Sequence, residues 1–326
     1  MSSGRTDNRA RALWYVAAGR AEIREEELPS PAAGEVRVRS LYGALSRGTE
    51  ALVLAGRVPA SEYERMRAPF MAGQFPFPVK YGYATVGEVE SGASKGRAAF
   101  ALYPHQTRFN IGADALVLLP EDVPPQRAVL AANMETALNA VWDAEPMASG
   151  RVAVIGAGVV GTLAAYLFSR IHSVDVTLVD TNPARAGIAR GLGLKFAAPG
   201  EAPSECNLTV HASGTAAGLA SALSAAAFEA TVLELSWYGD APVPVPLGGA
   251  FHSRRLRLVS SQVGHVAPSH RAKTSRHDRL RQAVSLLTDA RLDALLSPPV
   301  QFDELPHKLP HMLDAKGGVL CQLIAY

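Results

Sequence analysis

Cysteine is scarce in this sequence, with two residues among 326. Cys206 and Cys321 are widely separated, so they predict neither a disulfide framework nor a zinc site built on several thiolates. We expect both to be buried, unreactive thiols. No run of about 18 apolar residues occurs, which argues against a membrane-spanning helix. The polar, basic start lacks an apolar signal-peptide stretch and predicts a cytoplasmic protein.

A strong charge imbalance is missing too. The 32 Lys and Arg residues nearly balance the 30 Asp and Glu residues, which leaves a net charge of +2. One basic run, from Arg271 to Arg281, is more typical of a solvated helix face than of a phosphate-binding patch. We therefore expect no nucleic-acid partner. With 48% hydrophobic residues, the chain is long enough for two globular domains of about 150 residues each.

The character of the chain changes after Pro120. Before it, short alternating segments such as ALWYV and EVRVRSLY predict half-buried β-strands. After it, the apolar strands VAVIG, VDVTLVD, LTVHAS and TVLELS alternate with helical segments, which predicts an α/β doubly wound parallel sheet. The last segment, ending in VLCQLIAY, is expected to return to the first domain. The predicted domains are therefore 1–128 with 270–326, and 129–269.

The motif that carries most chemistry is VAVIGAGVVG, in which a buried strand runs into G-x-G-x-x-G and then a helix. Gly156 permits the tight turn, Gly158 lets the backbone approach a pyrophosphate, and Gly161 allows close packing of helix on strand. Val159 and Val160 complete the first helical turn, whose N–H groups face the phosphates. Strand, glycines and helix together predict a Rossmann dinucleotide site.

Asp180 ends the next strand, nineteen residues after Gly161. A carboxylate there accepts hydrogen bonds from the adenosine ribose hydroxyls and repels a 2′-phosphate, which favours NAD(H) over NADP(H). Arg185 is the competing signal, because it either approaches a 2′-phosphate or faces solvent on the next helix. FAD shares the fingerprint but usually places it near the N-terminus of the chain.

A β-rich first segment, a central Rossmann unit and a C-terminal return resemble the medium-chain dehydrogenase/reductase superfamily over nearly the whole chain. The resemblance implies a GroES-like catalytic domain that holds the Rossmann domain as an insertion, and commonly a homodimer. The segment LSRGTE, with GRVP soon after, is most similar to the branch that includes bacteriochlorophyllide hydroxyethyl dehydrogenases. We expect no transfer of substrate from so short a segment.

The zinc ligands of that superfamily are missing. Zinc-binding members carry G-x-C-G-[ST]-D, then P-x-x-x-G-H-E-x-x-G-x-V, and later a Cys four residues before a Thr. The matching segments here are LSRGTE, PVKYGYATVGEV and ANMET, which place Arg47, Tyr83, Ala84 and Ala132 at the ligand positions. None of these side chains normally binds zinc, so no metal is expected. The four-Cys structural zinc loop of many relatives is also absent.

Four polar residues are candidates for the chemistry that zinc would otherwise supply. Arg47 either polarises a substrate oxygen or pairs with Glu50 or Glu135, and Tyr83 either donates a proton or fills the former metal cavity. His105 either relays protons or is an ordinary loop histidine. Glu135 lies in an apolar helical run, so a pocket location or a partner such as Arg47 is expected.

Further positions are expected to line the cofactor. The resemblance places Thr136 on the nicotinamide side, and Ser213, Gly214 and Ser236 end strands where the dinucleotide passes. Residues 260–265 are similar to the segment that wraps the nicotinamide. Beside it, His265 and the pair Phe251-His252 contact either substrate or a second subunit, and the prolines of residues 242–249 mark either an interface or a protected edge.

Three functions compete on these grounds. The leading one is a zinc-independent NAD(H) oxidoreductase that moves hydride between nicotinamide and a small alcohol or carbonyl substrate. The second is an NAD(P)H-dependent enone or quinone reductase, since zinc-free relatives often reduce activated double bonds. The third is a non-catalytic nucleotide-binding protein. The intact phosphate loop and Asp180 favour the first two.

Overall fold

The computed structural model describes residues 8–144, 150–314 and 318–326. The chain divides into two compact units, with Met1–Leu130 and Leu296–Tyr326 in the first unit and Ala131–Leu295 in the second. Residues 1–7, which contribute to the expected location of the protein, lie outside the described residues. Within the described ranges, no helix is both long and apolar enough to cross a membrane.

The first unit is rich in β-structure, as its alternating sequence predicts. Its elements are β1 (Arg9–Ala17), β2 (Arg20–Glu27), β3 (Glu35–Leu45), α1 (Arg47–Leu54), β4 (Ala72–Gly73), β5 (Val79–Lys80), β6 (Thr85–Val89), β7 (Ala98–Ala101), β8 (Arg108–Gly112), β9 (Val117–Leu118), α2 (Pro125–Ala128), β16 (Leu296–Gln301), α8 (Leu305–Leu313) and β17 (Cys321–Ala325).

Strand β3 organises the larger sheet of the first unit. In the described residues this sheet runs β16-β17-β3-β6-β7-β9, with β8 also paired to β3, and a smaller sheet runs β2-β1-β5-β4. Val38 of β3 opposes Val89 of β6 and Phe109 of β8, and all three side chains are buried. The C-terminal strand β17 pairs with β3 on its other side, which joins residues 296–326 to this unit.

The second unit alternates strands and helices. Its elements are α3 (Ala131–Asp143), β10 (Gly150–Ile155), α4 (Val159–Phe168), β11 (Val174–Val179), α5 (Arg185–Gly191), β12 (Lys195–Ala197), β13 (Cys206–His211), α6 (Ala216–Ala225), β14 (Ala226–Glu234), β15 (Arg257–Ser260) and α7 (Arg276–Ser285).

These strands form one parallel sheet in the order β12-β11-β10-β13-β14-β15. This is the doubly wound Rossmann order, in which the sequence order of the strands reverses between β10 and β13. Buried apolar side chains such as Val154 and Val232 fill the strands, as expected for a parallel sheet covered on both faces. The predicted α/β fold class is therefore confirmed.

A buried ion pair joins α3 to α7. The Arg279 guanidinium donates to Glu135 Oε1 at 3.0 Å and to Asn139 Oδ1 at 2.5 Å. It also donates to the carbonyl oxygens of Val263 and His265, so it holds the 263–265 loop. Arg279 and Glu135 are 1% and 4% exposed. Burial raises the pKa of Glu135, and the Arg279 charge opposes that rise.

This ion pair changes two expectations. Glu135 is buried, but its partner is Arg279 rather than Arg47, because α7 covers the face of α3 that carries it. The same packing keeps α7 in the second unit, so that unit ends at Leu295, whereas the sequence placed the boundary after residue 269. The apolar pattern of α7 revealed the helix but not the element that it packs on.

The proline-rich segment 242–249 differs from an edge strand. Residues 241–246 have no regular structure, and one π-helical turn follows at Leu247–Phe251. One edge strand of the parallel sheet is β15, where Leu258 and Val259 are 39% and 40% exposed.

Cys206 and Cys321 are both buried, and burial raises their pKa values to about 11 and about 12, as expected for unreactive thiols.

We predict that Glu135→Leu destabilises the protein by roughly 3–5 kcal/mol, because it leaves the Arg279 charge buried without its carboxylate. The double variant Glu135→Leu/Arg279→Met should recover part of this loss, since it removes both charges. Urea unfolding measures both effects. Lys195→Ala, which breaks the exposed pair of Lys195 with Asp175, is the control and should cost less than about 1 kcal/mol. A loss for Glu135→Leu no larger than that of Lys195→Ala would contradict the prediction.

Candidate active site

The phosphate loop of the second unit has the geometry that its glycines predict. Gly156 follows β10 with φ of +110°, and a Cβ there would lie 2.7 Å from the backbone nitrogen of Ser213. A Cβ on Gly161 would lie 2.0 Å from the Gly156 carbonyl oxygen, so α4 packs directly on the strand end. Gly158 has open space where a Cβ would stand. Backbone atoms therefore fill the space beside Gly156 and Gly161, whereas the space beside Gly158 is open.

Helix α4 begins at this opening. Gly158 is its N-cap, and Gly158, Val159 and Val160 are half-buried at the start of an otherwise buried helix. The N–H groups of a first helical turn have no partner inside the helix, and the helix dipole adds partial positive charge there. The residues present therefore fit a pyrophosphate.

Asp180 stands beside the loop. Its Oδ2 accepts a hydrogen bond from the Ala157 N–H at 2.6 Å, and its Oδ1 accepts one from the Asn182 N–H at 2.7 Å. The carboxylate is thereby fixed against the glycine turn while each oxygen keeps a further lone pair. This is the position in which it can accept hydrogen bonds from a ribose. Arg185 is the first residue of α5 and is half-buried.

The ends of β13 and β14 carry a polar cluster that includes three expected positions and three unexpected ones. The Gly214 N–H donates to Ser236 Oγ at 3.0 Å, which ties the two strand ends together. His211 lies between Glu234, at 2.7 Å from its Nδ1, and Ser213, at 2.6 Å from its Nε2. The Tyr238 hydroxyl donates to Glu234 at 3.1 Å. In the sequence, His211 and Glu234 each stand two residues before a serine, in HAS and ELS, and this pattern was the available signal.

Thr136 and the 260–265 segment are also in the second unit. The Thr136 hydroxyl donates to the Ala132 carbonyl within α3, at 3.0 Å, and the residue is half-buried. Ser261 donates to Asp143 at 2.6 Å. Together with the carbonyls held by Arg279, this contact fixes the segment in place. The contacts of His265 and of Phe251-His252 with substrate or a second subunit stay predictions.

In the first unit, Arg47 and Glu50 are not partners. Arg47 begins α1, is half-buried, and donates to the Val319 carbonyl at 3.2 Å. Glu50 is fully buried one turn later. Its Oε1 accepts the Ser46 N–H at 2.8 Å, and its Oε2 accepts the Tyr15 hydroxyl at 2.6 Å. Glu50, which the sequence suggested as one partner of Arg47, therefore hydrogen-bonds to Ser46 and Tyr15 instead.

His105 completes the Glu50 cluster. Its Nε2 lies 2.9 Å from Glu50 Oε2, and the histidine is fully buried. Gly82 makes room for it, since a Cβ on Gly82 would lie 2.7 Å from the imidazole ring. The enclosed position does not allow His105 to touch a substrate directly, and it leaves a role through Glu50.

Tyr83 is the half-buried member of this neighbourhood. Its phenol hydrogen-bonds to the side chains of Ser46 and Thr49, which flank Arg47. Burial raises the pKa of Tyr83 to about 12, those hydrogen bonds lower it in part, and the Glu50 charge raises it further. A phenol in this state remains protonated at neutral pH. It can donate a hydrogen bond to an oxygen but cannot act as a base.

The zinc positions do not supply a ligand set. Arg47, Tyr83, Ala84 and Ala132 stand where the resemblance puts ligands, and zinc in proteins binds thiolate, imidazole and carboxylate groups. In residues 8–144, 150–314 and 318–326, no three His, Cys, Asp or Glu side chains are grouped so as to hold a metal ion.

A separate cavity in the first unit contains none of the predicted site residues. It has a volume of about 350 Å³ and is lined partly by Arg11, Arg39 and Arg108. These guanidinium groups pair with Asp303, Glu88 and Glu90 respectively, at 2.5 to 2.9 Å. Each of these three guanidinium charges is therefore matched by a carboxylate.

Comparison with solved structures gives the fold a counterpart. L-idonate 5-dehydrogenase of Escherichia coli superposes with a TM-score of 0.79 at 12% identity, covering 98% of both chains. An alcohol dehydrogenase of E. coli CFT073 solved with NADH gives 0.76 at 15%, covering 98% of this chain and 100% of the other. The chain has the medium-chain alcohol dehydrogenase fold.

A third structure extends this comparison. A Sinorhizobium meliloti protein described as a zinc-binding dehydrogenase, solved with NADP, gives a TM-score of 0.76 at 17% identity and covers 98% of this chain and 99% of that one. No protein-family model matches the sequence, and a search of curated proteins finds no match. At these identities the likeness concerns the fold.

Proposed function

We propose that this protein is a zinc-independent NAD(H) oxidoreductase that transfers hydride between the cofactor and a small alcohol or carbonyl substrate. The observation that carries the proposal is the geometry of the glycine loop. The space beside Gly158 is open, and the Asp180 carboxylate is fixed next to it by the Ala157 N–H. Two proteins with the same fold were solved with NADH and with NADP, which supports a nicotinamide cofactor.

Asp180 is the basis for choosing NAD(H). The Ala157 and Asn182 N–H groups donate to its carboxylate and hold the carboxylate next to the loop. An adenosine ribose binds at this place in Rossmann sites. A 2′-phosphate there would meet like charge at close range, and this repulsion disfavours NADP(H). Arg185 is the residue that would oppose this preference, and the nucleotide titration below measures the balance.

Tyr83 is proposed as the group that stabilises charge on the substrate oxygen. A bound nicotinamide supplies or accepts the hydride. When the hydride adds to a carbonyl carbon, negative charge develops on its oxygen, and a preorganised hydrogen-bond donor lowers the energy of that state. Tyr83 stays protonated and half-exposed, and the Ser46 and Thr49 hydroxyls orient its phenol. Arg47 lies between Ser46 and Thr49 at the start of α1 and adds positive charge.

Glu50 and His105 are proposed as positioning residues. Glu50 accepts hydrogen bonds from the Ser46 N–H and the Tyr15 hydroxyl, and it contacts His105. It thereby fixes the start of α1, where Ser46, Arg47 and Thr49 lie. Glu135 is proposed to have the corresponding structural role in the second unit, through Arg279.

The exposed edge strand β15 supports a homodimer. Leu258 and Val259 of this strand are exposed, as are Phe228 at 62% and Leu247 at 49% in the same unit. An unpaired apolar edge commonly pairs with a second copy across a twofold axis.

The first prediction concerns nucleotide choice. Wild-type protein should bind NADH about tenfold more tightly than NADPH, a difference of about 1.4 kcal/mol. Asp180→Ala should abolish most of this preference, because it removes the charge that repels the 2′-phosphate. Nicotinamide fluorescence titration measures both dissociation constants. Asp175→Ala, at an exposed acid of the same strand, is the matched control and should keep the wild-type ratio. Equal or tighter binding of NADPH by wild type would overturn the assignment of Asp180.

The second prediction concerns Tyr83. Tyr83→Phe should lower kcat for carbonyl reduction by roughly 100-fold, because it removes one preorganised donor to the developing oxyanion. The dissociation constant for NADH should stay within about twofold, which reports an intact second unit. Because the pKa of Tyr83 is about 12, the phenol stays protonated at pH values below about 10, and its ionisation should not lower the wild-type rate in that range.

Tyr103→Phe is the control for this variant, since Tyr103 is a half-buried tyrosine that stacks on Phe109 in the same unit. It should leave kcat nearly unchanged. If Tyr83→Phe retains full kcat, Tyr83 does not stabilise the oxyanion. Retained activity would also favour reduction of an activated double bond, which needs less acid catalysis, and enone and quinone substrates should be included in the assay.

The third prediction concerns assembly. Val259→Lys should convert a homodimer to a monomer, because it places a charge on the apolar edge of β15. Light scattering coupled to gel filtration measures the mass. Leu118→Lys, at a similarly exposed position of β9 in the first unit, should leave the mass unchanged. A monomeric wild-type protein would refute the proposed dimer.

A further inference from the structure

The polar cluster at the ends of β13 and β14 is the group of residues least explained by a simple nucleotide site. His211 is fully buried, and Glu234 keeps 14% of its side chain exposed. Both residues end strands at the carboxyl edge of the parallel sheet, next to the glycine turn at Gly156. In doubly wound sheets a dinucleotide crosses this edge where the strand order reverses.

The direction of the crossing follows from the sheet order. Asp180 directly follows β11 and marks the adenosine side, and Gly158, the N-cap of α4 in the turn after β10, marks the pyrophosphate. The second nucleoside then continues past the reversal between β10 and β13, toward the ends of β13 and β14. Glu234 therefore lies on the nicotinamide side of the sheet edge.

The hydrogen bonds of the cluster have one consistent direction. Thr215 Oγ1 accepts the Gly218 N–H at 3.0 Å, so its own proton is free to go to Ser213 Oγ, 3.0 Å away. The Ser213 hydroxyl can then donate to His211 Nε2, and the other ring nitrogen of His211 donates to Glu234. In this arrangement the hydroxyl protons of Thr215 and Ser213 and the His211 N–H that faces Glu234 each have an acceptor.

Glu234 accepts the last hydrogen bond of this chain and further hydrogen bonds from two other residues. Its Oε1 accepts the Ser236 N–H at 2.7 Å, and its Oε2 accepts the Tyr238 hydroxyl as well as His211. Burial raises the pKa of Glu234, but the hydrogen bond and the charge of His211, together with the hydrogen bonds from Ser236, outweigh burial and bring the pKa below its usual 4.5. Glu234 is thus held as a carboxylate at the strand end.

A serine nucleophile does not explain the cluster. A Cβ on Gly218 would lie 2.1 Å from Ser213 Oγ and 2.7 Å from His211 Nε2, so the first turn of α6 covers both atoms. An attacking oxygen needs an open approach, which this packing denies. What the cluster offers to a ligand is its charge and its position rather than a reactive hydroxyl.

We propose that Glu234, held by His211, is a specificity-determining residue that favours the oxidised cofactor, NAD⁺, over NADH. The nicotinamide ring carries a positive charge when oxidised and none when reduced, so a fixed carboxylate on its side of the sheet stabilises the oxidised form selectively. The adenosine and pyrophosphate parts are identical in the two forms and contribute no preference. The inference rests on the proposed NAD(H) function.

The experiment compares three ligands on the full-length protein, which are NAD⁺, NADH and ADP-ribose, by isothermal calorimetry. Glu234→Gln should raise the Kd of NAD⁺ relative to that of NADH by roughly three- to tenfold. ADP-ribose lacks the nicotinamide ring, so its Kd should stay within about twofold. Glu234→Asp retains the charge and should restore most of the wild-type ratio.

Glu229→Gln is the matched control, because Glu229 lies on the same strand and pairs with Arg255 away from the strand end. It should leave the NAD⁺ to NADH ratio unchanged. If Glu234→Gln weakens NAD⁺, NADH and ADP-ribose equally, the carboxylate acts only on the fold and the inference is overturned. If wild type binds none of the three ligands, the proposed function itself fails and the inference fails with it.

Discussion

Helix α4 passes so close to the carbonyl of Gly156 that no side chain fits between them. A Cβ on Gly161 would stand 2.0 Å from that oxygen, and one on Gly156 would meet the backbone of Ser213. This contact brings three strand ends together: β10 with its glycine turn, β11 with Asp180, and β13 with Ser213. Because Asp180 is fixed on the Ala157 N–H of the same turn, the carboxylate that we propose to select the nucleotide depends on the glycines as directly as the proposed phosphate site does.

Buried carboxylates in both units are matched by dedicated partners. Glu50 has Tyr15, His105 and the Ser46 N–H, Glu135 has Arg279, and Glu234 has His211, Tyr238 and the Ser236 N–H. An unpaired buried charge costs several kcal/mol, so each acid requires such a set. Where the sequence resemblance puts zinc ligands, this chain has the protonated Tyr83 phenol and the Arg47 guanidinium.

Local patterns in the sequence were sufficient to predict the Rossmann unit. Strand, glycines, helix and acid follow one another within thirty residues, and each has a separate physical requirement that only certain residues meet. Pairings distant in sequence were not predictable in this way. Arg279 lies far along the chain from Glu135, and nothing in either segment indicates that α7 covers α3. The same holds for His105 and Glu50, whose contact depends on the register of the first unit's strands and on the space left by Gly82.

The strand-end cluster shows a different limit. Ser213, Gly214 and Ser236 were predicted from the positions at which strands end, whereas His211 and Glu234 look like ordinary strand residues until β13 and β14 are paired. Their opposition at the last register position, His211 against Glu234, brings the imidazole to the carboxylate. Side chains at adjacent strand ends therefore needed the sheet order as well as the sequence.

Turnover by metal-free protein is the most direct test of hydride transfer without zinc. Protein treated with a strong chelator and checked by elemental analysis would be mixed with NADH and a panel of aldehydes, ketones, enones and quinones. We expect loss of reduced-nicotinamide absorbance with at least one carbonyl substrate, formation of an equal amount of alcohol, and no further gain in rate on addition of Zn²⁺. Turnover that appears only after Zn²⁺ is restored would contradict this expectation.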